Sequence, residues 1–358
     1  MFMVKDAITQ AQEAVLVTGA SGYLASWVVK ELLDAGCIVH ATVRKLNDDD
    51  KIAHLQEMAN AYPGKLKLFA ADLLTPDSFD AAMAGCGAVI HTASPYFHEK
   101  PKDIELELIK PAVNGTMNVI ASVNRTASVK RVVLTSSIAA LYDDNCDAQA
   151  YPGNTVTERH INSNQDMTHN SYAYSKTAAE TAAWQAQKLQ SRWDMVSIHP
   201  GAIFGPSLSK RVDATSVGMV VQFLNGSFRM GVPRLWLGVV DVRDVARTHV
   251  QALLVPTAHG RYIAVAESMT LLQAAGLMRP TDAGLPDKLP RRESPKSLVW
   301  LIAPFVGLQR DYVTRNVGHP INFDNARSKS ELGIVYRLPA DTFNDHIRQI
   351  IADGLVKA

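Results

Sequence analysis

The stretch VTGASGYLA, Val17 to Ala25, sets Gly19, Gly22 and Ala25 at TGxxGxxA spacing. It follows the apolar run AVLV and leads into an apolar stripe at Leu24, Val28 and Leu32, with Gly36 placed to end it. A strand, a tight turn and a helix are expected in that order. Gly19 admits the turn, Gly22 lets backbone approach a pyrophosphate with no Cβ between, and Ala25 keeps the helix close to the sheet. The backbone of Ser21, Gly22, Tyr23 and Leu24 then faces phosphates from a helix N-terminus. Strand, turn and helix in this order point to a bound dinucleotide.

The same alternation continues. CIVHATV (Cys37–Val43), KLKLFAADL, AVIHTAS, RVVLTSS and MVSIHPG read as further strands, with helical patterns between them, for example at 77–83 and 104–123. Near-continuous apolar strands alternating with helices predict an α/β fold, a Rossmann-type doubly wound parallel sheet covered on both faces. After Pro206 the pattern loosens. Residues 1–206 and 239–265 are assigned to the dinucleotide-binding domain, and 207–238 and 266–358 to a smaller, discontinuous C-terminal substrate lobe. Ligands of such sheets bind beyond the carboxyl ends of the strands, where this lobe would form a second wall.

The end of the second strand reports on the dinucleotide. NAD sites present an acidic residue there to the ribose hydroxyls. This chain has Thr42-Val43-Arg44-Lys45. A guanidinium matches a phosphate bidentately, so Arg44, assisted by Lys45 or Lys51, favours NADPH.

The segment SYAYSKTAAETAAW, Ser171 to Trp184, carries two tyrosines and one lysine. Tyr172 has Lys176 four residues on, and Tyr174 has Ala178 at that offset. Residues four apart share a helix face and residues two apart do not. A phenol is a poor proton shuttle at neutral pH unless a cation favours its ionised form. Lys176 supplies that cation and can also reach the nicotinamide ribose. Tyr172 is then the proton donor to a carbonyl oxygen as hydride reaches its carbon, while Tyr174 packs or lines the pocket wall. Ser136 and Ser137, at the end of the fifth strand, face opposite ways. Ser137, just beyond the strand, is chosen to hold the substrate oxygen.

With these motifs in hand, the chain resembles the extended short-chain dehydrogenase/reductases, in particular the dihydroflavonol reductase and cinnamoyl-CoA reductase branch with its microbial aldehyde and ketone reductases. The likeness runs from about Ala14 to the C-terminus. It is close in ATVRKLNDDDKIAHL, ADLLTPDSFDAAMAGCGAVIHTASP, VKRVVLTSS and YAYSKTAAETAAW, and continues in HPGAIFGP, VDVRDVA, GRYI and SKSELGI. The resemblance implies a catalytic Ser137, Tyr172 and Lys176, with Asn114 supporting the proton relay. It implies phosphate contacts from Arg44 and Lys51, an adenine side at Asp72 and Leu73, and a nicotinamide side at Thr92, Ala93 and Ser94. Thr135 and the segment Pro200, Gly201 and Ile203 complete the cofactor set. Ser94, Ser137 and Tyr142 are expected to meet substrate. Dihydroflavonol reductases carry an asparagine five residues after the catalytic serine, where this chain has Tyr142, which favours a more apolar carbonyl compound.

The implied activity is NADPH-dependent reduction of an aldehyde or ketone. Three alternatives share parts of this pattern. Nucleotide-sugar epimerases and dehydratases retain NAD, and dehydratases need acids beside the serine, where this chain has Ile138-Ala139. A steroid-type dehydrogenase differs in direction and substrate. An NADPH-sensing regulator would typically have lost the tyrosine or the lysine.

A formal net charge of +1 provides no strong field for nucleic acid. Three scattered cysteines indicate a reducing compartment. The first residues lack a signal-peptide core. The run from Leu298 to Leu308, read as a lobe helix broken at Pro304, is shorter than the about 20 residues a bilayer span needs, and cations do not line one face of it. The expectation is a cytoplasmic monomer or homodimer acting on a small-molecule carbonyl compound, with neither nucleic acid nor membrane as partner. His91 and His199 lie in no metal-ligand motif, so structural roles and no metal are expected.

Overall fold

The computed structural model describes residues 13–94, 103–164, 166–209, 215–278 and 288–356, so the N-terminal stretch read above lies outside it. The central sheet has seven strands, all parallel: β1 (Ala14–Thr18), β2 (Ile38–Val43), β3 (Leu66–Ala70), β4 (Cys86–His91), β5 (Arg131–Thr135), β6 (Asp194–Pro200) and, past three short strands labelled below, β10 (Gly260–Ala264). Their spatial order is β10-β6-β5-β4-β1-β2-β3. The order reverses between β1 and β4, the switch point at which doubly wound sheets bind ligands.

Strand β1 shows why residues 14–17 are all apolar. Val15 and Val17 pack into one core with helix α1 (Tyr23–Asp34), while Ala14 and Leu16 pack into another on the opposite face. Alternate strand residues point to opposite faces, and here both faces are covered, so Ala14 to Val17 are apolar and a polar side chain, Thr18, comes only at the strand's end. Helix α1 buries Ala25, Val28, Val29, Leu32 and Leu33, and each fully buried valine or leucine stabilises the fold by about 1.5–3 kcal/mol. Gly36, at φ +86°, turns the chain from α1 into β2. Helix α2 (Asp49–Ala61) completes that face, and α3 (Lys110–Arg125) and α4 (Ser171–Lys188) cover the other.

A second, smaller sheet lies beside the first. In it, β7 (Ala202–Phe204) pairs in parallel with β9 (Trp236–Asp241), which pairs antiparallel with β11 (Glu267–Thr270). Around it Phe204, Val220, Phe223, Met269 and Phe343 form a separate core with helices α5 (Thr215–Leu224), α7 (Leu271–Leu277) and the C-terminal Pro339–Ala352. Met219 packs against that core, whereas Met230 is exposed. Helix α6 (Val242–Leu254) returns to pack on α1. A two-residue parallel pairing joins β8 (Val232–Pro233) to β12 (Glu293–Ser294). Beyond it follow α8 (Lys296–Ile302), a 3-10 turn through Pro304 that ends at Gly307, and α9 (Arg310–Asn316).

Two expected helices differ in extent. The pattern at 77–83 yields only one turn, Asp80–Met83. The one at 104–123 begins as a π-helical turn, Glu105–Ile109, before α3 proper.

Candidate active site

The turn after β1 is shaped by close approach. Gly19 has φ +67°, and a Cβ there would stand 3.0 Å from Ala93 Cβ. A Cβ on Gly22 would lie 3.2 Å from the Gly19 carbonyl oxygen. Thr18 Oγ1 ties this turn to the end of β4, bonding His91 Nδ1 at 2.8 Å and accepting from the N–H groups of Thr92 and Ala93. Burial, helped by the Lys176 charge, pushes the His91 imidazole down to about 3, so it is neutral and structural.

Above the turn runs a cleft of about 770 Å³, within the range of ordinary cofactor sites. Gly19, Ser21, Gly22, Tyr23 and Leu24 form its floor. The Tyr23 hydroxyl is committed to the Gly205 carbonyl at 2.6 Å, so what Tyr23 offers a phosphate is backbone. Arg44, Lys45 and Lys51 line one end, with Asp72 and Leu73 facing them. Lys51 is held by Asp48 at 2.8 Å. Among the described residues no carboxylate lies within ion-pair distance of Arg44. Thr92, Ala93 and Ser94 line the other end. Ser207 and Ser209, which sequence reasoning missed, also border the cleft. They follow the second-sheet strand β7, and no motif marks them.

Helix α4 carries both Tyr172 and Lys176. Asn170 caps it, accepting from Ala173 N–H at 3.2 Å. Lys176 Nζ donates to Ser94 Oγ at 3.2 Å and lies 5.9 Å from the Tyr172 ring centre. Tyr172 is 53% exposed. Its lysine therefore bridges phenol and cofactor cleft, whereas Tyr174 is half-buried on another face. The 3-10 turn Ile138–Ala140 packs against α4, bringing Ser137 beside it.

Ser136 and Ser137 do diverge. Ser136 Oγ donates to Glu180 Oε2 at 2.6 Å, inside the protein, while Ser137 Oγ accepts from Ala139 N–H. Glu180 sits one helical turn beyond Lys176 and is 1% exposed. Its Oε1 accepts from Arg261 Nε at 2.8 Å, Trp184 Nε1 at 3.0 Å and Ser197 Oγ at 3.2 Å. His199 Nε2 lies 3.3 Å from the same oxygen, and its Nδ1 lies 2.9 Å from the Ser137 carbonyl oxygen. Burial opposes the Glu180 charge, yet His199, Arg261 and Ser136 outweigh it and hold the carboxyl well below its usual range. Sequence reasoning missed Glu180. The signal was present: it continues the four-residue spacing of Tyr172 and Lys176.

Several expected residues lie elsewhere. Asn114 is exposed on α3, and the side chains of that helix lining the small cavity under Lys176 are Ala112 and Thr116. Asn114 shares a helix face with Pro111, three residues earlier, which lines the main cleft. Thr135 lines the small cavity and meets His249 at 2.7 Å instead of lining the cleft. Pro200, Gly201 and Ile203 are also outside the cleft lining. Gly201 is held against the second sheet, where a Cβ would come 2.3 Å from the Gly238 carbonyl oxygen. Tyr142 packs on the cluster of Ile138, Leu141 and Val265 with Phe323 at 5.6 Å, and burial pushes its phenol well up.

Asp143, Asp144 and His169 bring ligand-type atoms within 4.8 Å of one another. Donors already occupy them: His169 Nε2 meets Asp144 at 2.6 Å, Asn316 donates to Asp144, and Asn164 to Asp143. His169 Nδ1 lies 3.2 Å from Asp311 of α9. The cluster clamps the approach to α4 onto α9.

A phosphate-ready glycine turn with a tyrosine–lysine pair beside its cleft defines a Rossmann-fold oxidoreductase. The chain belongs to the NAD dependent epimerase/dehydratase family, which matches residues 15–266, as one of its extended short-chain dehydrogenase/reductases. It is 42% identical to a cinnamoyl-CoA reductase of Medicago truncatula over 259 residues, 70% of this chain and 75% of the relative. It is 34% identical to tetraketide alpha-pyrone reductase 1 of Arabidopsis thaliana over 348 residues, 96% and 97% of the two chains. The structure of yeast methylglyoxal/isovaleraldehyde reductase Gre2 complexed with NADPH superposes with a TM-score of 0.77 at 27% identity, covering 96% of this chain and 100% of that one.

Proposed function

We propose that this chain is an NADPH-dependent carbonyl reductase that converts an aldehyde or ketone to an alcohol, with Tyr172 as general acid. One observation carries the reading: Lys176 Nζ reaches Ser94 at the cleft and stands near the Tyr172 ring on one face of α4. The cleft residues fit the cofactor. A Cβ at Gly19 would fill the turn, and the adenosine end offers Arg44 and Lys45 where an NAD site would offer a carboxylate. Bound NADPH supplies the hydride.

The chain's own residues do the rest. Gly19 to Leu24 present backbone to the pyrophosphate, and Arg44 with Lys45 or Lys51 takes the adenosine phosphate. Ser137 holds the substrate oxygen by a hydrogen bond. Tyr172 donates its hydroxyl proton to that oxygen, and Lys176 stabilises the phenolate left behind. Named relatives that reduce cinnamoyl-CoA, methylglyoxal and isovaleraldehyde support the class of reaction.

Tyr172→Phe tests the assignment. Turnover of NADPH with a panel of aldehydes, aryl ketones and ketoesters is expected to fall about 10²–10⁴-fold, with NADPH binding retained. Near-normal turnover in that variant would refute it.

A further inference from the structure

We propose that the hairpin of α8 and α9, together with the loop before β8, docks this protein on an anionic lipid surface. Two independent observations meet there. The first is apolar exposure. Helix α8 and its 3-10 extension turn only Val299 and Ala303 inward, against Val313 of α9 and Val317 just past its end. Outward they leave Phe305 87%, Val306 60% and Leu301 57% exposed, with Trp300 and Ile302 beside them. Across a strand pairing, Met230 is 78% exposed. Side chains of this size in one patch mark an interaction surface.

The second is charge. Residues 226–235 and 288–311 hold seven cations and two carboxylates, in a chain whose net charge is +1. The fold gathers them. Glu293 and Ser294 pair with Val232 and Pro233, and Arg292 Nε donates to the Met230 carbonyl at 3.1 Å. Lys296 Nζ reaches the Thr314 carbonyl at 2.8 Å, and the Arg310 guanidinium lies 4.3 Å over the Trp300 ring. One of the two carboxylates, Glu293, is matched by Arg234 at 3.6 Å, and the other, Asp311, by Arg315 at 3.0 Å.

Aromatic and aliphatic side chains rimmed by arginine and lysine are the pattern of interfacial segments, which bury their apolar face at the headgroup boundary while cations hold anionic lipid. A second copy is the competing occupant, and the charge disfavours it. A two-fold dimer sets a patch against itself, so this one would bring like charges together.

The test is co-sedimentation of the full chain with phosphatidylcholine vesicles, with and without phosphatidylserine. Binding is expected only with phosphatidylserine and is expected to fade at high salt. Arg291→Gln with Arg292→Gln is expected to weaken it about fivefold per charge. Phe305→Ser with Val306→Ser is expected to weaken it about tenfold or more. Both pairs are exposed, and the carbonyl-reductase rate in solution should not change. Absence of binding to phosphatidylserine vesicles, or equal binding to neutral ones, overturns the proposal. So does a concentration-dependent dimer that Phe305→Ser converts to monomer, since a second copy would then cover the face.

Discussion

Replacing Glu180 by glutamine removes one negative charge from a site with almost no solvent and changes the volume little. The carboxylate accepts from Arg261, Trp184 and Ser197 on one oxygen and from Ser136 on the other. An amide has one acceptor oxygen and puts an NH₂ group where the other accepted, so at least one buried donor loses its partner. Removing one member of a buried ion pair costs about 3–5 kcal/mol. Arg261 keeps some exposure and also donates to the His160 carbonyl at 3.1 Å, which places the expected loss near the lower end, about 3 kcal/mol. At about 2–4 °C per kcal/mol for a large domain, the melting temperature should fall by roughly 6–12 °C. The same change reaches the chemistry indirectly. His199 bridges Glu180 and the Ser137 carbonyl, so Ser137 loses part of its support. A displacement of about 1 Å costs up to about 10²-fold in rate. We expect kcat to fall about 10–100-fold while NADPH affinity, measured by fluorescence titration, is unchanged. The double variant Glu180→Leu with Arg261→Met leaves Trp184, Ser197, Ser136 and His199 without their shared acceptor, so it should recover neither the melting temperature nor kcat. A Glu180→Gln protein with an unshifted melting curve and normal kcat would refute the reasoning.

Two further expectations follow from the geometry. Arg44→Glu places a carboxylate at the adenosine end of the cleft, and the ratio of NADPH to NADH affinity should drop at least about tenfold, read from cofactor titrations. For His169, burial opposes its charge, but the hydrogen bond and charge of Asp144, with Asp143, raise its pKa against the opposing Arg315; Asp311 also faces its other nitrogen. A raised folded-state pKa gives stability that is complete below the unfolded value near 6.5 and lost as pH rises through the folded one. Thermal unfolding should therefore show declining stability above about pH 6.5, and His169→Gln should flatten that slope; an unchanged slope would remove His169 from the clamp.

What could be read from the sequence was what neighbouring residues encode. The continuously apolar strands, the glycine turn with its three-residue spacing and the pairing of Tyr172 with Lys176 four residues on are all carried by residues close together in sequence. Helix α3 shows the limit: its phase is set by packing on Leu73 and the sheet, which neighbouring residues in the sequence do not report. Only the tertiary structure could decide which distant groups meet. Glu180, Ser197, His199 and Arg261 come from one helix and two strands, and nothing local in any of them signals the others. Arg229 and Arg234 likewise join the charge around the α8–α9 hairpin only through β8 pairing with β12. Such contacts follow from chain crossings and burial, where a charge must find its partner in space once water is excluded.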